Sequence, residues 1–332
     1  VNFMPETSGP CRFGQYGALT RAIVRNRRIP DLALLSLTAE NGYAGFGVRF
    51  ALRAWHAVVL SDVLDDMESA VLALAEDPDA ALAELRAVGE DLCRGIARDS
   101  LRQLRRRIAG AARRIARIPR RGSIGDLPVV SLIGEIYVRR DGFSRRHLVE
   151  RLSRMGYLVR IAPVAEWIHY CDYIVQNRLV ARSRPSDRIR NRLTCAVKDP
   201  FERGIRRRFR DCGFFLDADT GAAPLVETAR AHLSPRLTGE AILTLGAALD
   251  RSVHPADGVL ALGPFGCMPS RIAEALVQKE RARQPGVPFL PIETDGNPFP
   301  PLVESRLEAF LLQVRRHKEA TRIPSRRERP AD

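Results

Sequence analysis

Lysine is nearly missing from this chain. Only Lys198, Lys279 and Lys318 occur in 332 residues, so arginine carries almost all of the positive charge behind a formal net charge of +14. A charge of that size ordinarily points to nucleic acid or another polyanion. An arginine excess is also what a GC-rich coding sequence produces, and two further absences count against specific readout: there is no zinc-finger spacing and no basic strand interleaved with aromatics. The chain lacks any apolar run near the length that a membrane-spanning helix needs. Neither a membrane nor nucleic acid is therefore expected as a partner. No charged segment followed by an apolar one opens the sequence, so the six cysteines are expected in a reducing cytoplasm, as thiols, ligands or core residues rather than disulfides. No repeat of solenoid period is present, and low complexity is confined to an arginine-rich tail after Ile323. What remains is a soluble globular chain, 45% hydrophobic, able to bury one or two domain cores.

The pattern along the chain predicts an α/β protein. Val1 to Pro5 reads as the end of a strand, Gly9 to Gly14 as a glycine-bounded loop carrying Cys11, Ala18 to Arg25 as a helix, and Leu32 to Leu37 as a second strand. Residues 1–46 thus read as part of an α/β domain. Residues 47–127 are helical, with Phe50, Ala54, Ala57, Val58 and Leu64 marking the buried side of the first helix and a break near Asp77-Pro78. The densest basic run, Arg102 to Arg121, places Leu101, Leu104, Ile108, Ile115 and Ile118 on one helical face and Arg105, Arg106, Arg113 and Arg114 on the others. That is an amphipathic helix with a solvated basic side.

Residues 128–320 read as a second α/β domain. Strands are expected at 129–133, 158–161, 258–262 and 288–292, with Ser144 capping a helix from Arg145 to Met155. The strand-helix-strand unit implies a parallel crossover. Residues 163–250 are a helical insertion, with breaks at Pro185, Pro200 and Gly213, and 321–332 a basic tail. The carboxyl edge of this sheet collects Glu135, Cys267, Glu293, Asp295 and Asn297, and parallel sheets bind ligands at that edge. Each polar residue there also has a structural alternative: Glu135 can pair with an arginine, and Asp295 or Asn297 can cap the last helix.

Two cysteines occupy equivalent corners. Cys267 follows an apolar strand and Gly263 and Gly266, and precedes Pro269, the first turn of a helix; Cys11 has a similar strand, loop and helix around it. A cysteine at a strand's carboxyl end and a helix's amino end suits thiolate chemistry. The two sulfurs are expected to face one cleft.

Four segments carry a resemblance to a known family: Ser8-Gly9-Pro10-Cys11-Arg12-Phe13-Gly14-Gln15-Tyr16, Gly134-Glu135-Ile136-Tyr137-Val138-Arg139, Gly263-Pro264-Phe265-Gly266-Cys267-Met268-Pro269-Ser270-Arg271 and Ile292-Glu293-Thr294-Asp295-Gly296-Asn297-Pro298-Phe299. In this order they closely resemble the activase-related members of the 2-hydroxyacyl-CoA dehydratase family, over almost the whole chain. Such segments sit in the carboxyl-terminal half of very large proteins whose front half is an ATP-dependent activase. The resemblance implies a pair of flavodoxin-like or Rossmann-like domains, with parallel sheets and helices on both faces, holding a 4Fe-4S cluster between them. It implies low-potential electron transfer from an activase domain or subunit, and an acyl-CoA substrate, in a lyase of anaerobic metabolism. Cys11 and Cys267 match the cysteine-bearing motifs and are the expected ligands, with Asn297 beside the cofactor and Glu293, Asp295 and Glu135 as candidate catalytic groups. The family supplies another cluster cysteine upstream of Val1, so the chain is expected to be a downstream piece of a longer polypeptide or, as the alternative, an open reading frame with an unusual start.

The other cysteines read differently. Cys93 and Cys195 look like packing residues, Cys171 is either aromatic-helix core or a ligand beside His169, and Cys212 follows Arg206-Arg207-Arg208, which could lower its pKa. Two further readings stand beside the iron-sulfur one: a thiol or zinc enzyme using Cys11 and Cys267, and a noncatalytic binding or assembly module docking through the basic helix.

Overall fold

The computed structural model describes residues 2–4, 11–35, 47–179, 185–217, 220–250, 255–283 and 286–322. Among them, the chain opens with a small parallel unit: β1 (Asn2–Phe3) pairs with β2 (Leu34–Leu35), and α1 (Tyr16–Asn26) connects them. The second strand is shorter than the sequence suggests, and residues 36 and 37 lie outside the described residues. So do residues 5–10 of the first loop, the glycine-bearing segment 41–46 and the tail 323–332.

Three helices follow, α2 (Gly47–Leu74), α3 (Pro78–Arg98) and α4 (Leu101–Ala116). Their boundaries have local causes. Asp77 accepts a hydrogen bond from the Ala80 N–H at 3.0 Å just before Pro78, which needs no donor there. Ser100 and Gln103 cap α4 reciprocally. Helix α4 buries Leu104, Ile108 and Ile115 and exposes Arg105, Arg106, Arg113 and Arg114, as expected, although Leu101 is exposed. On α2 the expected buried side holds in part, since Val58 and Leu64 pack against the core. Phe50 and Ala57 face solvent, and the buried side is Trp55, Val59, Leu60, Val63, Met67, Ala70 and Val71.

The main sheet is parallel throughout, in the order β4-β3-β5-β6: β3 (Val129–Gly134), β4 (Leu158–Ile161), β5 (Gly258–Pro264) and β6 (Phe289–Thr294). All four strands lie where the apolar runs place them. Between β3 and β4 are α5 (Ile136–Arg140) and α6 (Leu148–Arg154). Ser144 does not cap a helix starting at Arg145, because Asp141 takes the Ser144 N–H at 2.7 Å and holds a turn that delays the helix to Leu148. The insertion contributes α7 (Val164–Gln176), α8 (Pro185–Phe209), α9 (Ala222–Ala229) and α10 (Glu240–Leu249). Pro200 lies inside α8 and breaks nothing, whereas Pro185 opens that helix and Gly213 turns the chain after it with φ +84°. Helix α11 (Met268–Arg283) joins β5 to β6, and α12 (Pro301–Arg322) closes the described chain, running just past the expected start of the tail.

Strand alternation divides the core. Val130, Leu132, Leu260, Leu262, Leu290 and Ile292 pack on one face against Leu148 and Leu152 of α6 and Leu307, Phe310 and Val314 of α12. Ile133 and Val259 pack on the other against Leu225, Ile242, Leu245, Ala273 and Val277 of α9, α10 and α11. Each such side chain, fully buried, contributes about 1.5 to 3 kcal/mol. Val129 and Leu158 reach a further cluster built largely by α2, α3 and α4, so the helical segment shares its core with the sheet.

Helix α2 is also bonded to the sheet. Ser69 accepts the Val159 N–H of the outer strand β4 at 2.7 Å, satisfying a group that an open edge leaves bare. Buried Asp62 accepts the N–H groups of Val164 and Ala165 at 2.9 and 2.8 Å, capping α7 from a distant helix, and pairs with Arg140 at 2.5 Å. Asp66, half-buried, is pushed up to about 6 by desolvation, against the opposing pull of Arg160 and Arg206. No helix among the described residues is long and apolar enough to cross a membrane.

Candidate functional site

The site lies at the carboxyl ends of β3 and β5. From β3 the chain crosses to β4 on one side and later returns to β5 on the other, so the connections diverge from these adjacent strands. That divergence leaves a crevice where open α/β sheets take ligands.

Gly134 ends β3 with φ +108°, and a Cβ there would fall onto the Leu262 carbonyl oxygen and sit 2.8 Å from Leu262 N. Glycine is required for β3 and β5 to stay this close while the chain turns. The next residue, Glu135, donates its N–H to Leu262 O at 2.9 Å, and its carboxylate accepts from Tyr137 N and Val138 N at 3.1 and 2.8 Å. It caps α5 rather than pairing with an arginine.

On β5, Phe265 N bonds Thr294 O at 3.0 Å, and Gly266 turns the chain with φ +66° to deliver half-buried Cys267 immediately before α11. Glu293, at the end of β6, holds this loop: it accepts from Gly266 N at 3.1 Å and pairs with Arg271 Nε at 3.2 Å. Asp295 and Asn297 do not cap α12, which begins at Pro301. Asp295 instead accepts from both the backbone and the side-chain amide of Asn297, at 2.9 Å each, closing an exposed turn in which those bonds lower the carboxyl pKa.

Cys11 precedes the short 3-10 turn Arg12–Gln15 that leads into α1. Burial raises its thiol pKa, a hydrogen bond from the Phe13 backbone opposes this, and Cys267, Glu240 and Glu135 lie near enough for their negative charge to raise it further. The small amino-terminal unit and the main sheet thus bring Cys11, Cys267 and Glu135 to one locality. Glu293 buttresses the Cys267 loop, while Asp295 and Asn297 stand on the neighbouring exposed turn.

Glu240, the first residue of α10, belongs to this locality and has no local motif to announce it. Its carboxylate accepts from Ile136 N at 2.7 Å and lies 3.7 Å from Arg139. Desolvation pushes it up to about 7 in spite of Arg139. Arg139 is buried as well, donating to Ala162 O at 3.1 Å and to Gly134 O, so that it ties the ends of β3 and β4 together. Only the position of Glu240 after Gly239, opening an apolar helical run, was available to suggest it.

Comparison with family models, with curated proteins and with solved structures finds no match. The chemistry of the site rests on its own residues.

Cys11 thus lies within electrostatic reach of a second thiol and two carboxylates, one of them 3.7 Å from a guanidinium. With Cys11 held as the neutral thiol by burial and negative neighbours, this is a poor setting for an activated cysteine nucleophile, which needs positive surroundings. It suits a thiol that loses its proton to a metal. Among the described residues no group of three or more His, Cys, Asp or Glu side chains is arranged to hold a metal ion, so these two sulfurs are an incomplete donor set.

The remaining cysteines lie elsewhere. Cys171 is pushed up to about 12, chiefly by burial, and His169 bonds Glu202 at 2.7 Å, leaving no ligand pair on α7. Cys195 is likewise pushed up to about 12. Cys212 is raised by burial, contrary to the lowering expected from the arginine run, and Cys93 is exposed rather than packed. On the basic helix, Arg107 bonds Asp91 and Asp99 at 2.6 and 2.8 Å and Arg114 bonds Glu84 at 2.8 Å, so part of its charge is neutralised by α3 and the segment that follows it.

Proposed function

We propose that this chain is the cysteine-bearing part of an iron-sulfur protein of the 2-hydroxyacyl-CoA dehydratase and activase-related type. It passes low-potential single electrons in acyl-CoA chemistry. The observation that carries the reading is that Cys11 and Cys267, from separate parallel units, lie near enough for the charge of one to act on the other, with Cys267 just past the carboxyl end of β5. The acidic, half-buried setting supports it, because a thiol kept protonated by its neighbours becomes a stable thiolate once a cationic metal centre supplies the counter-charge.

The donors fit such a cluster in kind and supply half of its usual four thiolates. Cys11 and Cys267 would hold it, with the other ligands coming from a further segment or a partner. A bound 4Fe-4S cluster supplies one-electron transfer. The residues of this chain position it: Gly134 allows β3 and β5 to approach closely, Gly266 turns the chain into Cys267, Glu293 and Arg271 fix the Cys267 loop, and Glu240 holds a proton near neutral pH. Asp295 and Asn297 would face an acyl-CoA substrate, and an ATP-driven activase domain or subunit would deliver the electron.

Anaerobic purification with iron and sulfide quantitation tests this. Iron and sulfide in equal amounts are expected, with a broad absorption near ~400 nm from iron-thiolate charge transfer. Cys11→Ser and Cys267→Ser should each abolish the band, and Cys93→Ser should keep it. Iron-free protein, or iron retained in both site variants, refutes the proposal. Zinc without visible absorption would replace it with a thiol- or zinc-dependent enzyme.

A further inference from the structure

Helix α8 presents to solvent a face that the preceding site does not use. Its inner side is anchored: Trp55 Nε1 donates to Lys198 O at 3.0 Å, Lys198 pairs with Asp172, Glu202 accepts from Thr220 at 2.5 Å, and Ile205 and Phe209 are buried. On the outer side Ile189, Leu193 and Val197 are 62%, 67% and 53% exposed. Four-residue spacing places these three in one continuous ridge. At 100° per residue, exposed Arg190 borders the ridge on one side and exposed Arg192 and Arg203 on the other, while Asp199 and Glu202 turn inward.

We propose that this ridge is the seat of an acidic amphipathic helix from a partner protein. A single i, i+4, i+8 row fits the groove between two such rows on another helix, the commonest mode of helix packing. A partner with an aliphatic row bordered by glutamates or aspartates would place carboxylates beside Arg192 and Arg203, and arginine forks such groups well. A second copy of this chain is the wrong occupant, since apposed copies of α8 would bring arginines together. A bilayer calls for a broader apolar face than one row. Nucleic acid offers nothing to three exposed aliphatic side chains.

The probe is a fluorescein-labelled synthetic helical peptide with leucines at i, i+4 and i+8 bordered by glutamates, and the readout is anisotropy against the full chain. Saturable binding is expected, weakening by about tenfold or more when salt rises from about 0.05 to about 0.2 M. Leu193→Glu, at a solvent-facing position that leaves the far-ultraviolet dichroism unchanged, should weaken binding by about tenfold or more. The double variant Arg192→Glu and Arg203→Glu should do the same, and a lysine-bordered peptide should not bind. Absence of saturable binding, equal binding of the lysine-bordered peptide, or indifference to Leu193→Glu overturns the proposal. Pelleting with vesicles of phosphatidylcholine and phosphatidylglycerol that Leu193→Glu abolishes assigns the face to lipid instead, and self-association abolished by the same change assigns it to a second copy.

Discussion

Replacing Gly134 by alanine tests the architecture of the crevice most directly. The backbone has φ +108° there, which costs a residue with a Cβ roughly 1 to 3 kcal/mol. The added methyl would also meet the Leu262 carbonyl oxygen, with Leu262 N at 2.8 Å and Leu262 C at 2.9 Å, all backbone atoms of the adjacent strand that no rotamer change can move aside. Forcing such an overlap costs about 1 to 3 kcal/mol more. The sum, about 4 kcal/mol, is a large part of the stability of an ordinary domain. Two glycines serve as controls. Gly266 has φ +66° but nothing within 4 Å of an added methyl, so Gly266→Ala should lose only about 1 to 2 kcal/mol. Gly110, inside α4 with equally open space, should gain about 0.5 to 1 kcal/mol as alanine. Urea midpoints followed by far-ultraviolet dichroism measure all three. If Gly134→Ala costs no more than Gly266→Ala, the close approach of β3 and β5 is not what requires glycine, and the crevice has been wrongly explained.

Three other outcomes are expected. Glu240 is raised from 4.5 to about 7 by burial, so its contribution to stability is complete below its unfolded value and is lost as pH rises through about 7. Urea midpoints between pH 5 and pH 8, taken as approximate limits, should therefore fall less steeply in Glu240→Gln, the difference approaching about 3 kcal/mol; parallel slopes would contradict the assignment. Glu135→Ala removes the acceptor for two N–H groups at the start of α5 and should cost about 1 kcal/mol by the same assay, while an unchanged midpoint would show that the cap is immaterial. In native protein a maleimide should label exposed Cys93 well before half-buried Cys171, whose thiol is pushed up to about 12; mass mapping that finds Cys171 modified first would disprove that shift.

The strands were readable because each is a short apolar run bounded by turn residues, and the Cys267 corner because its glycines and proline prescribe a turn followed by a helix. The alternation of strands and helices was enough to give the α/β class and parallel pairing. Other features depend on partners remote in sequence. Glu240 reaches Ile136 across 104 positions, and nothing adjacent to either residue signals the encounter. Helix α2 is apolar around much of its circumference, so its pattern gives a weak phase, and contact with α3, α4 and the sheet selects Val59, Val63 and Met67 over Phe50 and Ala57. Ser144 has the chemistry of a helix cap, but Asp141, three residues earlier, uses the Ser144 N–H to build a turn. Capping residues compete locally, and composition alone does not name the winner.

The bonds from α2 to the sheet bear on the order of assembly. Ser69 closes the exposed side of β4 across 90 positions, and Asp62 starts α7 across 102 and 103. Loops of that length must close before either bond forms, so neither can belong to an early local nucleus. Until α2 docks, β4 is an open strand and α7 lacks its cap, and the nascent chain is then most exposed to pairing with another molecule. Residues 47–74 therefore serve in the folded chain as an intramolecular guard on the sheet.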